Sequence, residues 1–513
     1  MPRRLAAVIL PLALALLVLP SLAAASPARV AWFYKPPTDG STPAAVASAT
    51  TGQMILTKRD ETFRNQLRAS GYAGSILQYV EAAYAHGPVG ASSAGQPCDA
   101  GFAPWGNNVA WDQGDFCRYL HANESWFLHN GRGERLINGY YTGSHGVFYA
   151  MNPASAGWRQ FYAARVRQAL FGDATTPALG YDGLFLDDVW MTRHQLLNRV
   201  SNADGVVREF GSDSDFRSAV AELLATVRSA AAGRPVYANT DGNDFYLPYL
   251  DGTMREDFAA SWNGAYMSAD GVESMWASAD RATAAGKGLV LVGQGAREDR
   301  ERMRFAYAAY LMVAGPAVSF RYTRDSAAYR ELWTFPEYGV DIGSPSGPRS
   351  LVAGSTWQRQ FASGVAVVNL SATASQTVDL GGVHVAADGT LHSLLVLPPR
   401  TGAVLRGTKT APAPEIANVA PPVVSGSAVR GGLLSTTNGS WSVAPTSIAY
   451  AWLRCTSAGA SCKLIAKATR ATYSPVRGDV GSTIRARVTA GAAGVSASAV
   501  STAVAVVGSK RSR

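Results

Sequence analysis

Short apolar runs alternate with amphipathic stretches from about residue 28 to residue 322, and this rhythm dominates the chain. Val30–Tyr34, Ser75–Val80, Ser125–His129, Leu184–Asp188, Val236–Asn239, Gly252–Glu256, Gly288–Val292 and Ala317–Tyr322 read as eight strands. Between them Ser155–Leu170, Asp215–Ala232, Val272–Ala285 and Glu298–Val313 repeat apolar residues at i, i+3, i+4 and i+7, which is a helix with one buried stripe. Strand–helix alternation predicts an α/β protein with a parallel sheet, and eight strands predict a (β/α)8 TIM barrel over residues 26–345. A doubly wound open sheet is the alternative. No Gly-rich phosphate loop follows the first strand, and Gly131/Gly133 and Gly293/Gly295 open no nucleotide fingerprint.

The pattern then changes. Val365–Asn369, Gln376–Leu380 and Leu391–Leu397 alternate as short strands and predict a β-rich extension over 346–408. A Pro-rich stretch, 409–422, reads as a stiff linker. Residues 423–508 are rich in Ser, Thr, Val and Ala, with Trp441, Trp452 and a Cys pair, which predicts a β-sandwich. That stretch resembles the Ig-like modules carried by secreted bacterial enzymes. Residues 509–513 form a basic tail.

Composition sharpens this picture in two places. Hydrophobic residues make up 47% and charged residues 16% of the 513, which suits a large core and excludes a disordered chain. The net charge of +9 is local: twelve Lys/Arg face only Glu415 and Asp479 after residue 407, so everything before nets −1. The basic excess belongs to the last module, where an anionic cell-envelope polymer is the candidate partner. A nucleic-acid site would need Lys and Arg among aromatics on the barrel, and none is expected.

Arg3-Arg4, an apolar run from Leu5 to Leu19 and small residues up to Ala25 describe a signal peptide, 1–25. No other stretch is apolar enough to span a bilayer, so a secreted or extracellular protein is the expectation, with association at the cell surface as its variant. Cys98 with Cys117, and Cys455 with Cys462, are close enough in sequence to close two local disulfides there. A metal site is the alternative, but no ligand spacing supports one, and no cofactor is implied.

Candidate chemistry gathers at strand ends. Gly180-Tyr-Asp-Gly-Leu-Phe-Leu-Asp-Asp-Val-Trp190 is a buried run ending in Asp187-Asp188, and in a barrel the C-terminal strand ends form the active face. Alternation puts Asp187 and Asp188 on opposite faces, so one of them should enter the mouth. Asp182, before the strand, reads as a turn residue. Glu256 ends what counts as strand six, with Asp257 as the fallback for its role. Ends of strands four and six lie about 10 Å apart along a sheet. Inward-leaning carboxyls could close that to the 5–5.5 Å or so at which one attacks an anomeric carbon while the other protonates the leaving oxygen. The bland readings are a helix cap for the Asp pair and a solvated glutamate.

Trp32-Phe-Tyr, Met151-Asn-Pro-Ala-Ser-Ala-Gly-Trp158, Tyr181-Asp-Gly-Leu-Phe-Leu-Asp-Asp and Arg255-Glu256 together resemble the hypothetical glycosyl hydrolases of the α-galactosidase superfamily. They look most like a branch near the endo-α-1,4-polygalactosaminidase-like proteins, and the resemblance spans about 28–407. It implies a strand-four Asp nucleophile, matching Asp187, and a strand-six carboxylate acid/base, matching Glu256. Relatives often have Asn where Asp188 stands, which leaves the choice between Asp187 and Asp188 open.

Tyr34, Gln78, Asn239, Gln294 and Arg321 are strand-end polar groups able to hold sugar hydroxyls, and Trp190, Trp262 and Trp105 could stack on sugar faces. His129 is the one histidine expected to face the pocket. Each has a plainer reading as a rim or core residue. No Gly-x-Ser-x-Gly elbow and no His pair for metal-dependent deacetylation occur. The expectation is a glycoside hydrolase acting on a poly- or oligosaccharide through two carboxylates, with retention. A non-catalytic carbohydrate-binding or envelope scaffold on a barrel is the main rival, and a polysaccharide lyase the second.

Overall fold

In the computed structural model of the protein, the described residues are 28–139, 145–325, 328–408, 416–492 and 495–508. The expected signal peptide, the basic tail and residues 409–415 of the expected linker lie outside them. The chain forms two compact units, one up to Gly407 and one from Thr408.

In the first unit eight parallel strands run side by side in chain order: β1 Trp32–Tyr34, β2 Met54–Thr57, β3 Ile76–Glu81, β4 Gly183–Asp187, β5 Val236–Asn239, β6 Gly252–Arg255, β7 Gly288–Gln294 and β8 Val318–Thr323. A parallel bridge between Val30 and Phe320 joins the last strand to the first, with Ala31 N–H donating to Phe320 O at 2.9 Å. The sheet is a TIM barrel, as the alternation of the sequence predicts.

The sequence count of eight survives through two errors that cancel. Met54–Thr57 is a strand that periodicity missed, because four consecutive buried residues show no alternation. Ser125–His129 is not a barrel strand. It holds a 3-10 turn, Glu124–Trp126, within a long excursion between β3 and β4 that also carries the antiparallel ribbon Tyr84–Gly87 with Val147–Ala150.

Helices α1 Pro43–Ala49, α2 Glu61–Ala69, α3 Ala156–Phe171, α4 Asp213–Ala231, α5 Ala269–Ala284 and α6 Arg300–Leu311 cover the outside. Their starts are written in the sequence. Ser155, Ser212, Ser268 and Asp299 each accept a hydrogen bond from a first-turn N–H and so cap a helix. Outward strand residues such as Leu184 and Leu186 pack under these helices, while Phe33, Leu77, Phe185, Tyr237 and Met254 fill the barrel interior. Gly252 and Gly288 make room for Tyr237: a Cβ on either would lie 2.1 Å from its ring or hydroxyl.

The β-rich extension is a six-stranded antiparallel sheet, β9 Pro345–Ala353, β10 Thr356–Phe361, β11 Gly364–Asn369, β12 Gln376–Val385, β13 Leu391–Leu397 and β14 Thr401–Gly407. One face packs on the barrel. Ala366, Val368 and Val404 share a core with Phe305, Ala308 and Ala309 of α6, and Trp357 meets Trp276 of α5 edge-on at 5.5 Å.

In the second unit the named strands pair antiparallel, and an isolated parallel bridge joins Val429 to Val507. Ser447–Cys455 pairs with Thr483–Ala492 over its full length, and Leu434, Trp452, Ile484, Ala486 and Val506 form its core. Asp479 is fully buried, accepting from Arg454 Nε at 2.5 Å, Tyr473 OH at 2.6 Å and Val476 N–H at 2.7 Å. Cys98–Cys117 and Cys455–Cys462 are disulfides. No helix among the described residues is long and apolar enough to cross a membrane.

Gly402 sets how closely β14 approaches α6: an added Cβ would lie 2.4 Å from Ala308 Cβ and 2.8 Å from the Arg304 carbonyl. Gly402→Ala is therefore expected to force the two apart and lose about 1–3 kcal/mol of stability, read as a lower denaturant midpoint in equilibrium unfolding.

Candidate active site

Strand parity decides which side chains enter the barrel. On β4, Phe185 points inward and Asp187 follows on the same side. On β5, Tyr237 points inward and Asn239 follows. On β6, Met254 points inward, and Glu256 lies two residues further on. Asp187, Asn239 and Glu256 thus converge at the C-terminal mouth, lining a cavity of about 470 Å³ with Tyr34, Tyr79, Asp188 and Tyr329. The residues after the two candidate carboxylates, Asp188 (φ 54°) and Asp257 (φ 56°), are left-handed, so the chain turns sharply as it leaves each strand.

Three donors meet Asp187. Tyr79 OH donates a very short hydrogen bond to Oδ2, while Asn239 Nδ2 (3.0 Å) and the Asp188 N–H (2.9 Å) donate to Oδ1. The same Asn239 nitrogen reaches Glu256 Oε2 at 3.5 Å, so the nearest oxygens of the two carboxyls are at most about 6.5 Å apart. Tyr329 OH donates to Glu256 Oε1 at 2.8 Å and accepts from Gln294 Nε2 at 3.2 Å.

Burial first, and then the charge of Asp187, raise the Glu256 carboxyl from its ordinary 4.5 to about 7. Burial and Asp187 likewise push Asp188 well above the carboxylate range. Tyr34 is pushed up to about 12 by burial and by Glu81. Lys35, Arg199 and Arg330 line the same cavity, with the Lys35 ammonium 4.9 Å from the Tyr34 ring centroid and 6.0 Å from that of Trp105. Among the described residues, no cluster of three His, Cys, Asp or Glu side chains is arranged to hold a metal ion.

The sequence profile of hypothetical glycosyl hydrolase family 15 matches residues 102–365, just over half of the chain. The chain belongs to that family. This family member is a glycoside hydrolase, built to cleave glycosidic bonds. No curated protein matches it. Solved structures similar to it include the glycoside hydrolase domain of PelA from Pseudomonas aeruginosa, at 16% identity, 60% of this chain, 97% of that one and a TM-score of 0.37. An alpha-galactosidase from Thermus thermophilus is 13% identical over 64% of this chain and 66% of that one, with a TM-score of 0.33. A cycloalternan-degrading enzyme from Trueperella pyogenes is 9% identical over 75% and 63%, with a TM-score of 0.38. Likenesses this low decide nothing about the site.

Within the glycosyl hydrolase, the residues singled out in the sequence scatter. Asp187, Asp188, Glu256, Tyr34, Asn239 and Trp105 line the cavity. Gln294 and Arg321 stand behind it. Gln294 holds the Tyr329 hydroxyl, and buried Arg321 donates to the carbonyls of Ala31, Tyr329 and Glu331, fixing the loop that carries Tyr329. Gln78 is fully buried on the outward face of β3, between Ile76 and Val80, because strand parity turns it from the mouth. His129 lies in the excursion, bonded to Glu209 at 2.6 Å and Glu124 at 2.9 Å, since its segment is not a barrel strand. Trp190 is outside the lining, its ring 5.5 Å from the Arg199 guanidinium. Trp262 is 65% exposed on the loop after β6, and Asp257 accepts its N–H at 3.3 Å. Asp182 caps the other end of β4 by accepting from Ile76 N–H and pairing with Arg68.

Sequence reading missed Tyr79, Glu81, Asn107 and Tyr329. The strand-end rule would have found Glu81 had β3 been carried one residue past Val80. Tyr329, in a loop beyond β8, carries no such signal.

A carboxyl raised by folding takes up a proton as the chain folds, so it stabilises the fold below its ordinary value and loses that contribution as pH rises through the raised one. Glu256→Gln removes this dependence. Between pH 4.5 and pH 8 the wild-type melting temperature is expected to fall more steeply than that of Glu256→Gln, with the variant the more heat-resistant of the two above about pH 7, as thermal melts across that range would show.

Proposed function

We propose that the protein is a secreted, retaining glycoside hydrolase of poly- or oligosaccharides in which Asp187 is the nucleophile and Glu256 the acid/base. The observation that carries this reading is the one amide nitrogen of Asn239, which contacts both carboxyls and holds them within reach of a single glycosidic bond. A span of at most about 6.5 Å between the nearest oxygens suits direct attack better than the wider gap, about 6.5–9.5 Å between carboxyls, that inverting enzymes keep for a water molecule.

The environments divide the labour. Asp187 is met by three donors, which fix the orientation of its carboxyl for attack on the anomeric carbon. Glu256, with its raised pKa, is poised near neutral pH to give its proton to the leaving oxygen. The sugar is then carried on Asp187 through an ester. Glu256, now a carboxylate, takes a proton from water as that water attacks the same carbon and releases Asp187. Asp188, half-buried and pushed toward its neutral form by desolvation and by the charge of Asp187, is the weaker nucleophile candidate.

Two disulfides fit an oxidising compartment, and with the N-terminal sequence they support export. In this reading residues 423–508 form an Ig-like module whose basic surface meets an anionic envelope polymer.

Asp187→Asn and Glu256→Gln are each expected to lower kcat about 10²- to 10⁴-fold while remaining folded, measured on an aryl glycoside or polysaccharide that the wild type hydrolyses. Proton NMR of fresh product should show the anomeric configuration of the substrate; the opposite anomer would refute retention. A chain ending at Gly407 is expected to hydrolyse soluble substrates at the full-length rate, and loss of turnover would show that the second unit serves catalysis.

A further inference from the structure

Glu81 ends β3 directly beside Asp187, its register partner on β4, yet the reaction as derived does not use it. It is 2% exposed and does not line the cavity, so it cannot touch a substrate. Its Oε1 accepts from Asn107 Nδ2 at 3.1 Å and lies 3.4 Å from Tyr79 OH, while Oε2 is buried with no hydrogen-bond partner among the described residues. Tyr79 has one proton, which it donates to Asp187 Oδ2. With that proton committed, the Tyr79 oxygen can only receive from Glu81, and Glu81 can donate only as the neutral acid. A buried carboxylate with an unpartnered oxygen would also carry a large desolvation cost that the neutral acid avoids.

We propose that Glu81 is a positioning residue, a neutral acid donating to Tyr79 so that the Tyr79 proton stays on Asp187. This rests on Asp187 being the nucleophile. The chain of donation runs Glu81 to Tyr79 to Asp187 and holds the carboxylate in the orientation needed for attack. The hydrogen bonds with Tyr79 and Asn107 favour the charged form of Glu81, but burial and the two neighbouring Asp charges outweigh them. Asp188 and Asp187 from the end of β4 face Glu81, Tyr34 faces it from β1 and Tyr84 from the ribbon, and burial together with the two Asp charges drives its pKa well above the carboxylate range. From α3, Tyr162 OH bonds only the Glu81 backbone carbonyl, at 2.9 Å.

Two measurements test this. Infrared difference spectra of glutamate-labelled wild type against Glu81→Gln, at pH 7 and without substrate, should show the carbonyl band of a protonated carboxyl lost in the variant. A carboxylate band instead would overturn the proposal. On an aryl glycoside that the wild type hydrolyses, Glu81→Gln, neutral and still a donor, should keep kcat within about threefold, whereas Glu81→Met should lose about 10- to 100-fold in kcat with little change in KM. Equal damage in both variants, or wild-type turnover in Glu81→Met, would overturn the positioning role. Wild-type turnover in Asp187→Asn alongside a protonated Glu81 would instead strike the nucleophile assignment and leave the infrared result standing.

Discussion

The site depends on side-chain parity in a closed parallel barrel. Inward residues recur every second position, and neighbouring strands are locked in register by their ladders. Phe185 and Asp187, Tyr237 and Asn239, Met254 and Glu256 are three such inward pairs on adjacent strands. A shift of one residue in any of them would bury its polar member under the helices and bring an apolar one to the mouth. The hydrophobic interior below the mouth therefore fixes the chemistry above it. Asn239 sits on the strand between the two carboxylate-bearing ones and is the group through which Asp187 and Glu256 are joined.

Around that core the structure keeps several carboxyls in one small volume and distinguishes them by surroundings. Asp187 is met by hydroxyl, amide and backbone donors. Glu256 is half-buried against one tyrosine hydroxyl, and Glu81 is sealed away from the cavity altogether. The same carboxyl group thus differs in what it can do from place to place, because burial beside other acids disfavours the charge of Glu256 and Glu81. The basic excess of the chain has no part in this: it belongs to the second unit, whose Asp479 is consumed internally by Arg454 and Tyr473.

Much of this was legible in the sequence, for reasons that differ from residue to residue. Leu184–Asp187 announces a buried strand ending in acid because three large apolar residues in a row stop abruptly at a carboxylate, and the serine caps of α3, α4 and α5 mark their helices openly. Met54–Thr57 was illegible because four buried residues in a row look alike as strand or helix. Ser125–His129 misled because Phe127 and Leu128 are buried for a different purpose, under the excursion rather than in the barrel wall. Gln78 has the right chemistry at the wrong parity. Tyr329 reaches Glu256 through a loop whose path Arg321 sets, a tertiary fact that no local pattern encodes.

The excursion between β3 and β4 supplies Trp105 and Asn107, one facing the cavity and the other bonded to Glu81, and both lie inside the ring closed by Cys98 and Cys117. One wall of the reaction chamber is thus cross-linked to itself by a bond that forms only under oxidising conditions. A molecule folded among reduced thiols would keep its barrel and its carboxylates but lose the tether on that wall, so the quality of the finished catalyst is decided partly by the place in which it matures.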